Sequence, residues 1–465
     1  MAGTNRDALK RMLDECWRLS PIRILDPGGG EDGMKHTLSI LLRLGASSMI
    51  LAACTTQSAT PTTARRTEVP AEPTAPPPAF LCADAIGCVD VAPGDPIHIA
   101  WALTVSGATA ALGKDSKGAI EIAIDDRGGE LLGHPIDLTG EDSLCNAEGG
   151  MAAGTRLAAD PTIVGIIGTN CSSEARTAMP LISLAGMVMI SPSDTDPDLT
   201  KPDHPDNWPG YLRTAHKAEF EGRVAAEFAY NGLGLTKAAT IHDGSPIALS
   251  LQQAFADTFV ALGGTITAQE AVNVGDADMM PVLTTIATGS PEIIFFPIFK
   301  PEGELVAQQA KQVAGLETTK LMGADGLFAD TLPEATGDAA VGMFLSGPFV
   351  DPSNPAYSDF LAKWTAKFGG VPPSGFHAHA YDAMNMLLNA IEAVAVVDGD
   401  GTVHIGRQAL RDAMYGTADF AGLTGNLTCD ANGDCATGQA LAIFQLGQAE
   451  VAGNWPPPVY WRPGQ

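Results

Sequence analysis

An alternation that begins at Pro96 constrains this chain more than any other feature. Short, largely apolar runs at Ile97–Leu103, Ile163–Gly168 and Met187–Ile190, the second of them continuous, are separated by stretches of helical character at 107–127, 147–159 and 173–184, and Ile136–Thr139 adds a shorter strand. The alternation resumes after residue 214. Phe220, Val224 and Phe228 recur at every fourth position, as do Leu251, Phe255 and Phe259, and strands are expected at 237–242, 265–272, 292–299, 319–323 and 341–346. Helices at 355–368 and 377–395 follow, then Gly-punctuated strands around 425–429 and 439–446. A strand that is apolar throughout is buried on both faces, and helices between such strands return the chain to a parallel sheet. One sheet rarely needs this many βα units. The expectation is therefore an α/β chain of two lobes, with crossings near Thr214 and Ser346.

The segment ahead of this body points to export. Met34-Lys35-His36, an apolar run from Leu38 to Leu44 interrupted by Ser39 and Arg43, and a stretch of small residues lead to Leu51-Ala52-Ala53-Cys54. A basic start, an apolar core and small residues before a cysteine have the form of a bacterial secretion signal, and the ending resembles a lipobox. That resemblance implies that Cys54 is lipidated and becomes the first residue of the mature chain. The apolar run is too short for a spanning helix, which needs about 20 predominantly apolar residues. Residues 1–33 carry charges of both signs, and the expectation is that they are an extension from a mis-assigned start, with Met34 the true one. Residues 34–53 are then the signal peptide. Residues 54–80, rich in Thr, Ala, Pro and Glu, hold too little apolar surface to fold and read as a flexible stalk.

Charge and cysteines fit the same compartment. The net charge of −27, or −28 without residues 1–53, repels nucleic acid and anionic lipid at long range. With Cys16 in the extension and Cys54 lipidated, Cys82, Cys88, Cys145, Cys171, Cys429 and Cys435 remain, an even number that suggests three disulfides in an exported chain. Pairing of near neighbours would join Cys82 to Cys88 and Cys429 to Cys435 and leave Cys145 with Cys171, although six cysteines allow fifteen connectivities. A metal site is the alternative, but the spacings are not those of zinc knuckles and no histidine lies near any pair.

In open parallel sheets, ligands bind beyond the carboxyl ends of the strands. Three such ends are polar here: Gly168-Thr169-Asn170-Cys171-Ser172-Ser173, Ser191-Pro192-Ser193-Asp194-Thr195 and Ala324-Asp325-Gly326. Ser172 or Ser173 suits a helix N-cap, and a helix start offers free N–H groups and partial positive charge to a carboxylate. Hydroxyls and a helix start on one lobe, with Asp325 on the other, would clamp a zwitterion. Each residue alone is equally well explained as an ordinary cap or turn.

These same segments resemble the leucine/isoleucine/valine-binding proteins of ABC transporters. The resemblance runs from about Pro96 to Leu446. It includes Met189-Ile190-Ser191-Pro192-Ser193-Asp194-Thr195, Thr104-Val105-Ser106-Gly107, Arg213-Thr214-Ala215, Ile241-His242-Asp243, Gly337-Asp338-Ala339-Ala340-Val341-Gly342-Met343, Ala380-Tyr381-Asp382-Ala383 and Asp430-Ala431-Asn432-Gly433-Asp434. It implies the type I periplasmic binding protein fold. In that fold each lobe is a doubly wound, mostly parallel sheet flanked by helices, and the two close on a ligand like a clamshell. The lobes are expected at 96–214 with 347–420, and at 215–346 with 421–450. The resemblance also implies a Cys145–Cys171 disulfide. By position, Ser172 and Thr195 fall where the family holds the ligand carboxylate, with Ser193 contributing main chain. Asp325 falls where the family places an acid, often Glu, for the amine. Ile247-Ala248 stand where Tyr-Gly is usual, Leu112 where an aromatic ring is frequent, and Phe299 and Phe376 near common tyrosine positions. The pocket thus exchanges phenolic hydroxyls for apolar wall, which suits an aliphatic or aromatic side chain.

No nucleophile elbow, phosphate loop or zinc-protease motif occurs. His377 and His379 do not share a helical face, and the Asp398–Gly401 and Asp430–Asp434 segments read as turns rather than calcium loops. The expectation is a non-enzymatic monomer without cofactor or metal. It would capture an amino acid or analogue and pass it to the permease subunits of an ABC transporter. It would touch the membrane only through its lipid and would not bind nucleic acid. A ligand-sensing domain reporting to a membrane receptor is the alternative.

Overall fold

The computed structural model describes residues 81–436 and 440–464. The expected extension, signal peptide, lipidated Cys54 and stalk lie outside the described residues.

Two sheets organise the chain. The first has six strands in the order Glu130–Leu131, His134–Asp142, Ile97–Leu103, Ile163–Gly168, Met189–Ser191 and Tyr211–Arg213. All its pairings are parallel except that of the short edge strand Glu130–Leu131. The second has seven, in the order Val459–Trp461, Leu441–Gln445, Phe344–Pro348, Lys320–Gly323, Ile293–Phe295, Lys237–His242 and Thr265–Ala271. Only Leu441–Gln445 runs against the rest, since both of its pairings, with Phe344–Pro348 and with Val459–Trp461, are antiparallel. In each sheet the first parallel strand lies inside, and the chain adds neighbours to one side and then the other. That reversal opens a crevice at the carboxyl ends of the strands.

The pleat explains why the inner strands are largely apolar on both faces. Ile97, Ile99 and Leu103 pack with Ile120, Leu387 and Ile391 on one face of the first sheet. Ala100 and Ala102 pack with Ile166, Met179 and Ile182 on the other. In the second sheet Ile294 and Phe296 face one core and Ile293 and Phe295 the other. Helices therefore cover both sides of each sheet, as continuous apolar strands require. Gly113 lets the helix Ala110–Asp126 lie against the end of the central strand, because a Cβ there would stand 2.0 Å from the Thr104 carbonyl oxygen.

Most expected elements are present, with the helix 107–127 shortened to Ala110–Asp126 and the strand 292–299 to Ile293–Phe295. Three features depart from expectation. A small sheet of Cys88–Val91, Val403–Gly406 and Val396–Val397 joins residues more than 300 apart, a pairing no local pattern reveals. Residues beyond 420 stay with the first lobe, where Leu423, Leu427 and Cys435 enter its core, so the last crossing follows Cys435. The second sheet extends past residue 450 to Val459–Trp461. Disulfides join Cys82 to Cys88, Cys145 to Cys171 and Cys429 to Cys435. No described helix is long and apolar enough to cross a membrane.

Candidate functional site

The carboxyl ends of the parallel strands converge on one small cavity. All eight residues expected at the site line it: Leu112, Ser172, Ser193, Thr195 and Phe376 from the first lobe, and Ile247, Phe299 and Asp325 from the second. Asn170, Cys171 and Gly326 complete the lining. A Cβ on Gly326 would stand 2.8 Å from the Phe299 ring, so glycine is what lets that ring lie against the backbone beside Asp325.

One end of the cavity meets the start of the helix Ser172–Leu184. The N-cap is Cys171, not Ser172 or Ser173 as expected, and its sulfur is committed to Cys145. Ser172 is the first helical residue, and its hydroxyl accepts the Asp196 amide at 3.2 Å. The work of a capping side chain passes to buried Glu174. Its carboxylate accepts the amides of Cys171 at 2.9 Å and Asn170 at 3.1 Å, the Thr104 hydroxyl at 2.7 Å, and the Cys145 amide. Burial pushes the Glu174 carboxyl up to about 7 against the pull of these donors. An acid three residues after an N-cap is a readable signal, yet Glu174 is absent from the sequence-derived site.

The turn that carries Ser193 and Thr195 is held just as firmly. Asn170 Nδ2 donates to Ser193 Oγ at 3.1 Å, and Ser193 Oγ lies 3.0 Å from the Asn170 carbonyl. Arg213, fully buried, donates to the carbonyls of Asp196 at 2.7 Å and Asp194 at 3.3 Å and to the Thr200 hydroxyl at 2.6 Å. Its Nε meets Asp434 at 2.5 Å, which ties this turn to the segment leading into the last crossing. Phe376 is placed by Asp115, whose carboxylate accepts the amides of Ser374 at 3.0 Å and Phe376 at 2.9 Å and faces His377 Nδ1 at 3.1 Å.

At the opposite end Asp325 does not stand alone. Glu221 and His216, neither expected at the site, meet it below the cavity. Glu221 accepts the Ser346 hydroxyl at 2.7 Å and the Asp325 amide at 3.2 Å, and His216 Nε2 lies 2.9 Å from its second oxygen. The Asp325 and Glu221 carboxyls are buried side by side, with oxygens within 4.8 Å of each other. Burial, with the Glu221 charge beside it, pushes Asp325 well above the usual carboxylate range. Burial also raises Glu221 and holds His216 neutral, down to about 4. The three residues bring ligand-type atoms within 4.8 Å of one another. Glu221 is already engaged by His216, Ser346 and the Asp325 amide, so the cluster reads as a hydrogen-bond network rather than a cation cradle.

A bilobed sheet pair with a crevice at its strand ends, hydroxyls and a helix start on one wall and an acid on the other, defines a solute-binding protein. The sequence agrees: the periplasmic binding protein family model matches residues 96–450. The chain belongs to that family. It is similar to the Leu/Ile/Val-binding protein BraC3 of Rhizobium johnstonii, with 26% identity over 76% of this chain and 93% of that protein. It is also similar to the leucine-, isoleucine-, valine-, threonine- and alanine-binding protein of Pseudomonas aeruginosa, with 28% identity over 73% of this chain and 87% of that one. Among solved structures, the leucine-binding protein LivK of Thermotoga maritima superposes with a TM-score of 0.67 at 25% identity, over 76% of this chain and 95% of that chain.

Proposed function

We propose that this chain captures an apolar α-amino acid, or a related carboxylate or amide, by closing its lobes, and delivers it to the permease of an ABC importer from a lipid anchor at Cys54. The observation that carries this reading is the convergence of opposite polarities on one small cavity. Ser172, Thr195 and the helix start offer hydrogen-bond donors to a carboxylate, and Asp325 offers an acceptor to an amine. Leu112, Ile247, Phe299 and Phe376 form the wall between them. Neither tyrosine nor tryptophan lines the cavity, so the wall favours an aliphatic or simple aromatic side chain over a hydroxylated one. The relatives named for branched-chain amino acids support the same class.

A thermal-shift screen of apolar amino acids, their amides and amine-free carboxylates tests the reading. A ligand present at a hundred times its Kd stabilises the fold by about 2.7 kcal/mol, a shift easily seen. Failure of every member of these classes to raise Tm would reject the proposed ligand class.

A further inference from the structure

Asp325 lines the cavity, whereas Glu221 sits behind it and is not part of the lining. Three donors from the protein, the Ser346 hydroxyl, the Asp325 amide and His216, converge on Glu221. That set favours the ionised form of Glu221. Two buried carboxyls whose oxygens lie within 4.8 Å of each other do not both ionise. Before a ligand arrives the proton would therefore rest on Asp325, beside Glu221. The other charged and titratable groups nearby leave that balance alone. Arg213 is committed to Asp434 and two backbone carbonyls, and Lys217 meets Asp434 at 2.5 Å. His379, on the helix His377–Val394, is held neutral by burial, down to about 3.

We propose that Glu221 is a specificity-determining residue that acts through Asp325: one proton stays within the Glu221–Asp325 pair and changes sides with the ligand. This rests on the proposed capture of amino acids and related carboxylates. An arriving ammonium needs an ionised Asp325. The proton then moves from the Asp325 carboxyl to the Glu221 carboxylate, so Asp325 becomes the anion that faces the ammonium and Glu221 becomes the neutral acid. An amine-free carboxylate leaves the proton on Asp325, which presents a neutral group to the ligand's apolar end. In both cases the pair carries a single negative charge, and no proton is exchanged with solvent. The site can thus accept α-amino acids and their amine-free analogues alike.

The test is calorimetry in two buffers of different ionisation enthalpy, with L-leucine and 4-methylpentanoate as one matched pair and L-phenylalanine and 3-phenylpropanoate as another. In the wild-type protein at pH 7, at least one pair should bind through both members, with a proton exchange close to zero for each. Glu221→Gln keeps the acceptor for Ser346 and the Asp325 amide but removes the proton store, so Asp325 ionises. In that variant the amine-free member should take up close to one proton on binding, and preference for the amino acid should rise about tenfold or more, the equivalent of at least one pKa unit. Asp325→Asn, a second variant, should reverse the preference. Release of a full proton with the amino acid by the wild-type protein would overturn the shared proton and leave the proposed function standing. Binding of only one member of each pair would overturn the dual acceptance. If no amino acid binds at any pH, the proposed function falls and this inference falls with it.

Discussion

Arg213 gives the sharpest test of how this site is held. Its guanidinium is fully buried and makes four hydrogen bonds: to Asp434, to the carbonyls of Asp194 and Asp196, and to the Thr200 hydroxyl. Arg213→Met keeps much of the volume and removes every donor. Each buried acceptor left without a partner costs about 1–3 kcal/mol, and breaking a buried ion pair costs about 3–5 kcal/mol. Asp434 keeps Lys217 at 2.5 Å, which limits its share of the loss. The expected destabilisation is about 3–5 kcal/mol, read as a drop in urea midpoint with an unchanged m-value. The turn bearing Thr195 would loosen as well, so ligand affinity should fall along with stability. Arg213→Lys should recover little, because an ammonium cannot reach four acceptors from one planar fork. A loss below about 1 kcal/mol, the range of an exposed ion pair, would show that this network does not hold the turn.

Three further outcomes are expected. Ser172→Ala combined with Thr195→Val should weaken carboxylate ligands by about tenfold or more, one to two hydrogen bonds' worth, and spare the corresponding amides; equal losses in calorimetry would contradict the assigned polarity. His379 is held down to about 3 by burial, against 6.5 when unfolded, so its contribution to stability is present above about pH 6.5 and lost as pH falls toward 3. His379→Gln should therefore narrow the stability gap between pH 7.5 and pH 5 by about 2 kcal/mol, and an unchanged gap in urea titrations would refute the buried neutral imidazole. Replacing both Cys145 and Cys171 by Ala removes the cross-link beside Ser172. It should cost roughly 3 kcal/mol and weaken binding, and unaltered binding would mean that Glu174 alone sets the helix start.

Much of this protein follows from local pattern. Ile97–Leu103, Ile163–Gly168 and residues 237–242 are recognisable as inner strands because burial on both faces keeps their middles largely apolar. For the same reason the first polar residues after such strands mark where they end, and in a parallel sheet all those ends point to one crevice. That is how Ser172, Thr195 and Asp325 were legible as neighbours although they span more than 150 positions. Contacts that depend on which helix meets which strand were not legible. Glu221 lies on a helical face whose spacing resembles any amphipathic segment, and only the packing of Ala218–Glu227 against the second sheet sets it under Asp325 beside Ser346. The same holds for Arg213 and Asp434, which draw residues up to 435 into the first lobe. The linear pattern determined the two-lobed α/β architecture and the polar strand ends, because both obey rules with periods of a few residues. Tertiary structure alone decided the electrostatic setting of Asp325, because burial and the neighbours within a few ångströms, Glu221 and His216, come from elsewhere along the chain.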